Sequence, residues 1–406
     1  MTGGLNFTFA PPSKLVTSFF MVGTLFYFIG SIIFLKIDFL NIYYLAPEAV
    51  GFVHIFLLGF MMSIIFGALY QLISVILEIP LFSDTLAFAH LALFVIGVIP
   101  FLGSFLHNGL FEFLGYGSLL LYLSFLLYIA NILLSIKQIK KLELKAYFIL
   151  SIHLILFLGV TYGLLASLGL VHPNLGYDTV SLAHSHIVLV LFGFAGGLMA
   201  IIATILIPMF MLSHNFNKNI SNYLLFGFIS ASLCAVFEWF TLSQILMIAT
   251  IFLFTFQLYD IFRKRMRKHL DIYALDMITS GVFLSLLALL IPFLYEEKMI
   301  KLFLIFLFFG FISSFVVGHI YKIVPFLVWN EKFAPLVGKQ KVPMLADMIH
   351  DKASYGEFGT KIATILFLTL GVLTTSTLLI AIGKIMFLVN ALLVVANVIY
   401  IFKYKG

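Results

Sequence analysis

Six of the chain's eleven histidines fall inside long apolar stretches, where an imidazole has no ordinary surface role. His54 opens "HIFLLGFMMSIIFGALYQLIS", and the pair His184 and His186 opens "HSHIVLVLFGFAGGLMAIIATILIP". His90, His153 and His319 stand toward what would be the opposite face of a membrane. Ionisable groups at such depth default to a functional role with a partner, and neutral imidazole is a common metal ligand. The other five, His107, His172, His214, His269 and His350, fall in connections and read as solvated side chains.

Two layers of candidate ligands result. If Gly67 is aligned with Gly318, His319 matches Ala68, which lies about 21 Å along a helix from His54 at 1.5 Å per residue. One metal cannot use both layers. On a regular helix His184 and His186 point about 200° apart, so they must face different neighbours. A helix sending one imidazole into each of two adjacent spaces suits two flat cofactors, with His54 as a second axial ligand for one of them. Haem fits such spaces better than a small ion, because porphyrin needs apolar area and only one or two axial nitrogens. For His184 a plain hydrogen bond near the membrane interface is an equal reading. His90, His153 and His319, near Tyr321, Lys322, Glu78 and Asp84, form a metal site or a proton inlet, or each satisfies a backbone carbonyl.

The elements that position these residues are membrane spans. Hydrophobic residues make up 63% of 406 and charged residues 10%, and mean hydropathy is +1.17, far from the soluble norm of about a quarter charged. Windows of about 20 apolar residues give about twelve spans, near 14–36, 50–75, 85–106, 112–135, 145–170, 182–211, 222–241, 243–262, 272–294, 301–327, 359–382 and 384–403. The expected fold is therefore an all-α polytopic membrane protein, a single integral-membrane domain over 1–406. Its partner is the lipid bilayer.

Basic clusters at 137–145, 217–219, 263–270 and 339–341 and in the tail fall on one side if the spans alternate, placing both termini in the cytoplasm. The same clusters account for the net charge of +6 without a nucleic-acid partner. A lone cysteine, Cys234, excludes an intrachain disulfide and a thiolate zinc site. The opening "MTGGLNFTFAPPSK" reads as neither a basic leader nor a cleavage site. Trp329 to Gly356 reads as a partly ordered loop.

Spans two, six and ten look like copies. The register that pairs "GALYQLIS" (67–74) with "GHIYKIVP" (318–325) matches Gly67 to Gly318 and Tyr70 to Tyr321, and span six joins at Pro208. Three four-helix repeats follow, near 14–135, 145–262 and 272–403, around a pseudo-threefold axis.

With twelve spans, threefold repetition, a histidine at the outer end of span two and an H-x-H on a descending helix, the chain resembles the haem-copper oxidase subunit I superfamily. The phrases "HIFLLGFMMSIIFGALYQLIS", "AHSHIVLVLFGF" and "GHIYKIVPFLVW" are similar to oxidase-like membrane proteins near the NnrS family. That resemblance implies haem b, one or two, with copper or iron as a further metal, and a role in nitric oxide tolerance. It also implies a bacterial-type inner membrane and an electron donor such as a cytochrome or quinol. The family's H-x-H serves two haems on span ten, whereas here it lies on span six.

Span seven, "NYLLFGFISASLCAVFEWF", lacks the paired histidines of the family's three-histidine copper site, which disfavours dioxygen reduction. Glu238 on that span reads as an interfacial carboxylate beside Trp239, or as a metal ligand or proton carrier. The expected function is a membrane haem protein for electron transfer or diatomic gas chemistry, with haem between spans two and six on His54 and His184 or His186. The alternative is a metal or haem transporter or assembly factor using the histidine layers as relay sites.

Overall fold

The computed structural model describes residues 9–139 and 144–405. Most of the opening stretch and the middle of the 137–145 cluster lie outside them. Eleven described helices are long and apolar enough to cross a membrane, and no strand occurs among the described residues beyond one isolated bridge between Ser213 and Arg265.

The helices are α1 (Ser13–Lys36), α2 (Pro47–Val75), α3 (Asp84–Leu106), α4 (Gly109–Ile136), α5 (Ala146–Val171) and α6 (Thr179–Met211). They continue with α7 (Ile220–Val236), α8 (Phe240–Arg263), α9 (Ile272–Phe293), α10 (Glu297–Lys332), α11 (Asp351–Thr374) and α12 (Thr377–Lys403). At 17 residues α7 is the shorter twelfth. Large apolar side chains such as Phe226, Tyr116 and Ile99 face outward, while Asn131, Ser185 and Asn390 are buried. That distribution suits a hydrocarbon solvent, in which polar groups must find their partners inside the protein.

Two boundaries differ from the hydropathy reading. α7 ends at Val236 because the chain turns through Glu238, whose φ of 60° is left-handed, and the Trp239 N–H closes the turn on the Cys234 carbonyl at 2.8 Å. The last hairpin turns at Thr375, also left-handed at φ 55°, and Ser376 caps α12. The hydropathy reading puts that turn some eight residues later, because "TTST" interrupts an apolar run too briefly to register. The connection after Trp329 is ordered: α10 runs on to Lys332, two short 3-10 turns follow, and Trp329 Nε1–H donates to the Pro343 carbonyl at 2.8 Å.

The chain forms two compact units. The first contains Ile73–Lys268 and so carries α3 to α8. Small residues bring its helices close: a Cβ on Gly117 of α4 would strike the backbone of Phe101 on α3. Asn131 on α4 accepts from the Ser83 N–H and donates to the Ser83 carbonyl, and Ser135 accepts from the Phe82 N–H. These bonds pin the entrance to α3.

The second unit contains Pro11–Leu72 and His269–Gly406, hence α1, nearly all of α2, and α9 to α12. Aromatic rings fill much of its core, with Phe34 stacked on Phe52 at 4.7 Å and Phe56 tilted against Phe308 at 4.9 Å. Carbonyls after α1 receive lysines, Lys384 reaching Ile37 and Lys301 reaching Leu40. In the same connection the Asn41 amide donates to Asp38 at 2.8 Å and holds that carboxyl below its ordinary range.

α2, α6 and α10 share a local departure from α geometry. Each widens into a π-helical segment, at Ile55–Met62, Val188–Gly196 and Phe306–Ile312. The register that pairs Gly67 with Gly318 also pairs Gly59 with Gly310, and both lie in these segments, as does Gly193 on α6. A Cβ on Gly59 would overlap Phe26 of α1, one on Gly193 would overlap Ile155 of α5, and one on Gly310 would overlap Phe283 of α9. In each case the helix just before supplies an intruding side chain, joined at Gly193 by Ser232 of α7. Such wide turns are rare and frequently sit at functional sites.

Candidate functional site

The start of α6 decides where its two histidines go. Asp178 caps the helix by accepting from the N–H groups of Val180 and Ser181 at 3.1 Å, and the backbone stays α-helical through His186. Residues two apart on such a helix diverge. His184 is exposed and packs edge-on against Phe240 of α8, with centroids 5.3 Å apart. His186 turns toward α5 instead.

There His186 Nδ1–H donates to the Gly159 carbonyl at 2.8 Å. The ring lies over Gly163, where an added Cβ would stand 2.6 Å from Nδ1. Gly159 and Gly163 are one helical turn apart: the missing side chain at Gly163 makes the seat for the imidazole, and the one at Gly159 lets Leu189 and Val190 of α6 come close. A carbonyl only accepts, so Nδ1 carries the proton and the lone pair sits on Nε2. Metal-ligating histidines are commonly oriented this way by a backbone carbonyl.

His54 belongs to the second unit, while His184 and His186 belong to the first. Its Nδ1–H donates to the Val50 carbonyl of its own helix at 2.8 Å, which leaves the lone pair on Nε2 as in His186. The residue lies immediately before the π-helical segment of α2, and His186 lies two residues before that of α6.

The inner layer is arranged differently. His153 Nδ1–H donates to Ile149 at 2.6 Å, and its Nε2 accepts from the Tyr128 hydroxyl at 3.2 Å. His319 repeats the pattern in the second unit, with Nδ1–H donating to Phe315 at 2.7 Å and Nε2 accepting from the Tyr273 hydroxyl at 3.4 Å. His90 packs on the other side of Tyr128, centroids 5.3 Å apart. Of the three histidines expected as metal ligands, two thus have their lone pairs occupied by tyrosines. No group of three His, Cys, Asp or Glu able to hold a metal ion occurs among the described residues. His153 also lines an apolar groove of about 420 Å³ between α4 and α5.

Replacing Tyr128 with Phe removes the donor to a buried nitrogen. We expect a loss of about 1–3 kcal/mol, read as a lower thermal midpoint in detergent with pigment content unchanged. Glu238 is exposed in the α7–α8 turn and accepts from the Ser181 hydroxyl at 2.6 Å.

Hydropathy and histidine counting missed a buried ion cluster in the second unit. Lys361 of α11 donates to Asp276 of α9 at 2.5 Å and contacts Glu357, one turn earlier on α11, at 3.2 Å. None of the three side chains is more than 1% exposed. Asn390 of α12 donates to the Glu357 carboxylate at 2.8 Å and accepts from the Tyr27 hydroxyl at 2.8 Å. Tyr27 also meets Ser313 of α10 at 2.7 Å. A signal was present in "YGEFGTKIAT", where acid and lysine stand four apart, but Glu357 fell just outside the apolar window.

No family model matches this chain, and no curated protein matches it. The fold defines an all-helical multi-pass protein whose spanning helices call for a lipid bilayer.

Proposed function

We propose that this is a membrane-bound haem b protein for electron transfer or diatomic gas chemistry, in which His186 of the first unit and His54 of the second are each a candidate haem ligand. The observation that carries this reading is the seat of His186: a cross-helix carbonyl fixes its tautomer, and Gly163 leaves the space its ring occupies. The donor set fits haem better than a bare metal ion, because porphyrin supplies four ligands itself and asks the protein for one or two imidazoles. When bound, such a group supplies one-electron chemistry and a site for a gas ligand.

The chain's own residues orient and insulate. Gly159 and Val50 hold the two imidazoles in one tautomer, and the apolar lining of the spans excludes water. His184, exposed against Phe240, is the weaker of the two H-x-H candidates. The relay alternative gains nothing from the inner histidines, whose Nδ1 protons are spent on carbonyls of their own helices in His153 and His319. In the same reading the chain is a three-repeat relative of haem-copper oxidase subunit I near the NnrS family. It sits in a bacterial-type inner membrane with both termini cytoplasmic and takes electrons from a cytochrome or quinol. Copper or iron as a second metal draws no support from the ligand geometry.

A pyridine haemochrome assay with metal analysis on one purified sample tests this. A b-type spectrum at one or two haems per chain is expected. A colourless protein from haem-replete cells overturns the reading. Gly163→Ala pushes a methyl into the His186 ring, and haem retention is expected to fall by about tenfold or more, with the fold preserved by circular dichroism.

A further inference from the structure

Among the described residues of the second unit, six buried side-chain oxygens have no hydrogen-bond partner: Asp276 Oδ2, Glu357 Oε2, Asn397 Oδ1 and the hydroxyls of Ser63, Ser314 and Thr369. Two of them belong to carboxylates that are fully buried and share a single ammonium, that of Lys361. Two carboxylates against one lysine leave one uncompensated negative charge.

Among the described residues, Lys361 alone forms an ion pair with either carboxylate. Tyr27 of α1, Tyr321 of α10 and Asn390 and Asn397 of α12 are neutral, with Asn397 donating to the Tyr321 hydroxyl at 3.0 Å. His319 of α10 takes the Tyr273 hydroxyl on its lone pair. Lys322 of α10 is matched by Asp271 at 2.9 Å. A lone charge in an apolar interior is strongly disfavoured. The unpartnered atoms point the same way. Asp276 Oδ2 and Glu357 Oε2 are acceptors left without a donor in the cluster, and the cheapest missing donor is a proton on a carboxyl oxygen.

We propose that Asp276, Glu357 and Lys361 form an intramembrane proton-binding site, in which the two carboxyl groups hold one exchangeable proton between them beside the lysine ammonium. Loading joins a proton from water to a carboxylate oxygen and makes an O–H; release reverses it, and no electron moves. The partly exposed Asp271–Lys322 pair, little more than one turn before Asp276 on α9, connects the site to the aqueous face. Asn390 and Tyr27 extend the polar chain away from it. The site is independent of haem, so the test reads protonation and leaves the pigment out of account.

The test is infrared spectroscopy of the full chain in lipid nanodiscs, with and without sodium. Wild type is expected to show the C=O stretch of a protonated carboxyl that shifts in D2O, fades as pH rises and ignores sodium. Glu357→Gln or Asp276→Asn is expected to remove it. Absence of such a band in wild type at every pH from about 5 to about 9 overturns the proposal, and this arm needs no variant to fold. A band that survives in both variants overturns it too. A band displaced by sodium overturns it in favour of a metal cation.

Discussion

Lys361→Met is expected to be the most damaging single substitution in the second unit. It removes the one ammonium that contacts both Asp276 and Glu357, whose side chains are at 0% exposure. Breaking a buried ion pair on one side costs about 3–5 kcal/mol, because the stranded charge has no water to return to. The purified variant should unfold at a much lower temperature or fail to accumulate.

The double variant Lys361→Met, Asp276→Asn restores neutrality around Glu357 by the proton that carboxyl takes up, and should recover most of the loss. A single variant as stable as wild type would show that water or another cation reaches the cluster. Equal loss in single and double variants would place the effect in packing instead of charge.

His186→Ala is the second large effect. It empties the seat at Gly163 and removes the Nε2 lone pair, so haem content per chain should drop by more than about tenfold. His184→Ala, on the exposed side of the same helix, should leave most of the pigment in place. If the two variants retain equal haem, the seat on α5 does not select the ligand. If both lose it with a loss of helicity, the comparison of His54→Ala with its wild-type melting curve decides whether ligation or folding is at stake.

The histidine geometry could be read early because it needs only helical periodicity. An i,i+2 pair on a regular helix must diverge, and His184 and His186 do so, toward α8 and α5. What that periodicity could not give was the identity of the neighbours. Gly159 and Gly163 are unremarkable letters in an apolar span, and the carbonyl of one and the open space at the other receive His186 only when α5 lies against α6. The inner histidines show the same limit from the other side. Tyr128 and Tyr273 lie on other helices than His153 and His319 and at unlike separations in the chain, so no local pattern announces that their hydroxyls occupy those lone pairs.

Composition alone determined the solvent and the class: few charges and about twelve apolar runs leave no way to satisfy backbone groups except as membrane helices. The pairing of Gly67 with Gly318 and of Tyr70 with Tyr321 was legible between α2 and α10, while α6 joined them only at Pro208. Only the tertiary structure decided which ionisable groups pair. Asp276, Glu357 and Lys361 are brought together by the packing of α9 against α11, and a charge in an apolar medium is governed by its nearest partner in space, not by its neighbours along the chain.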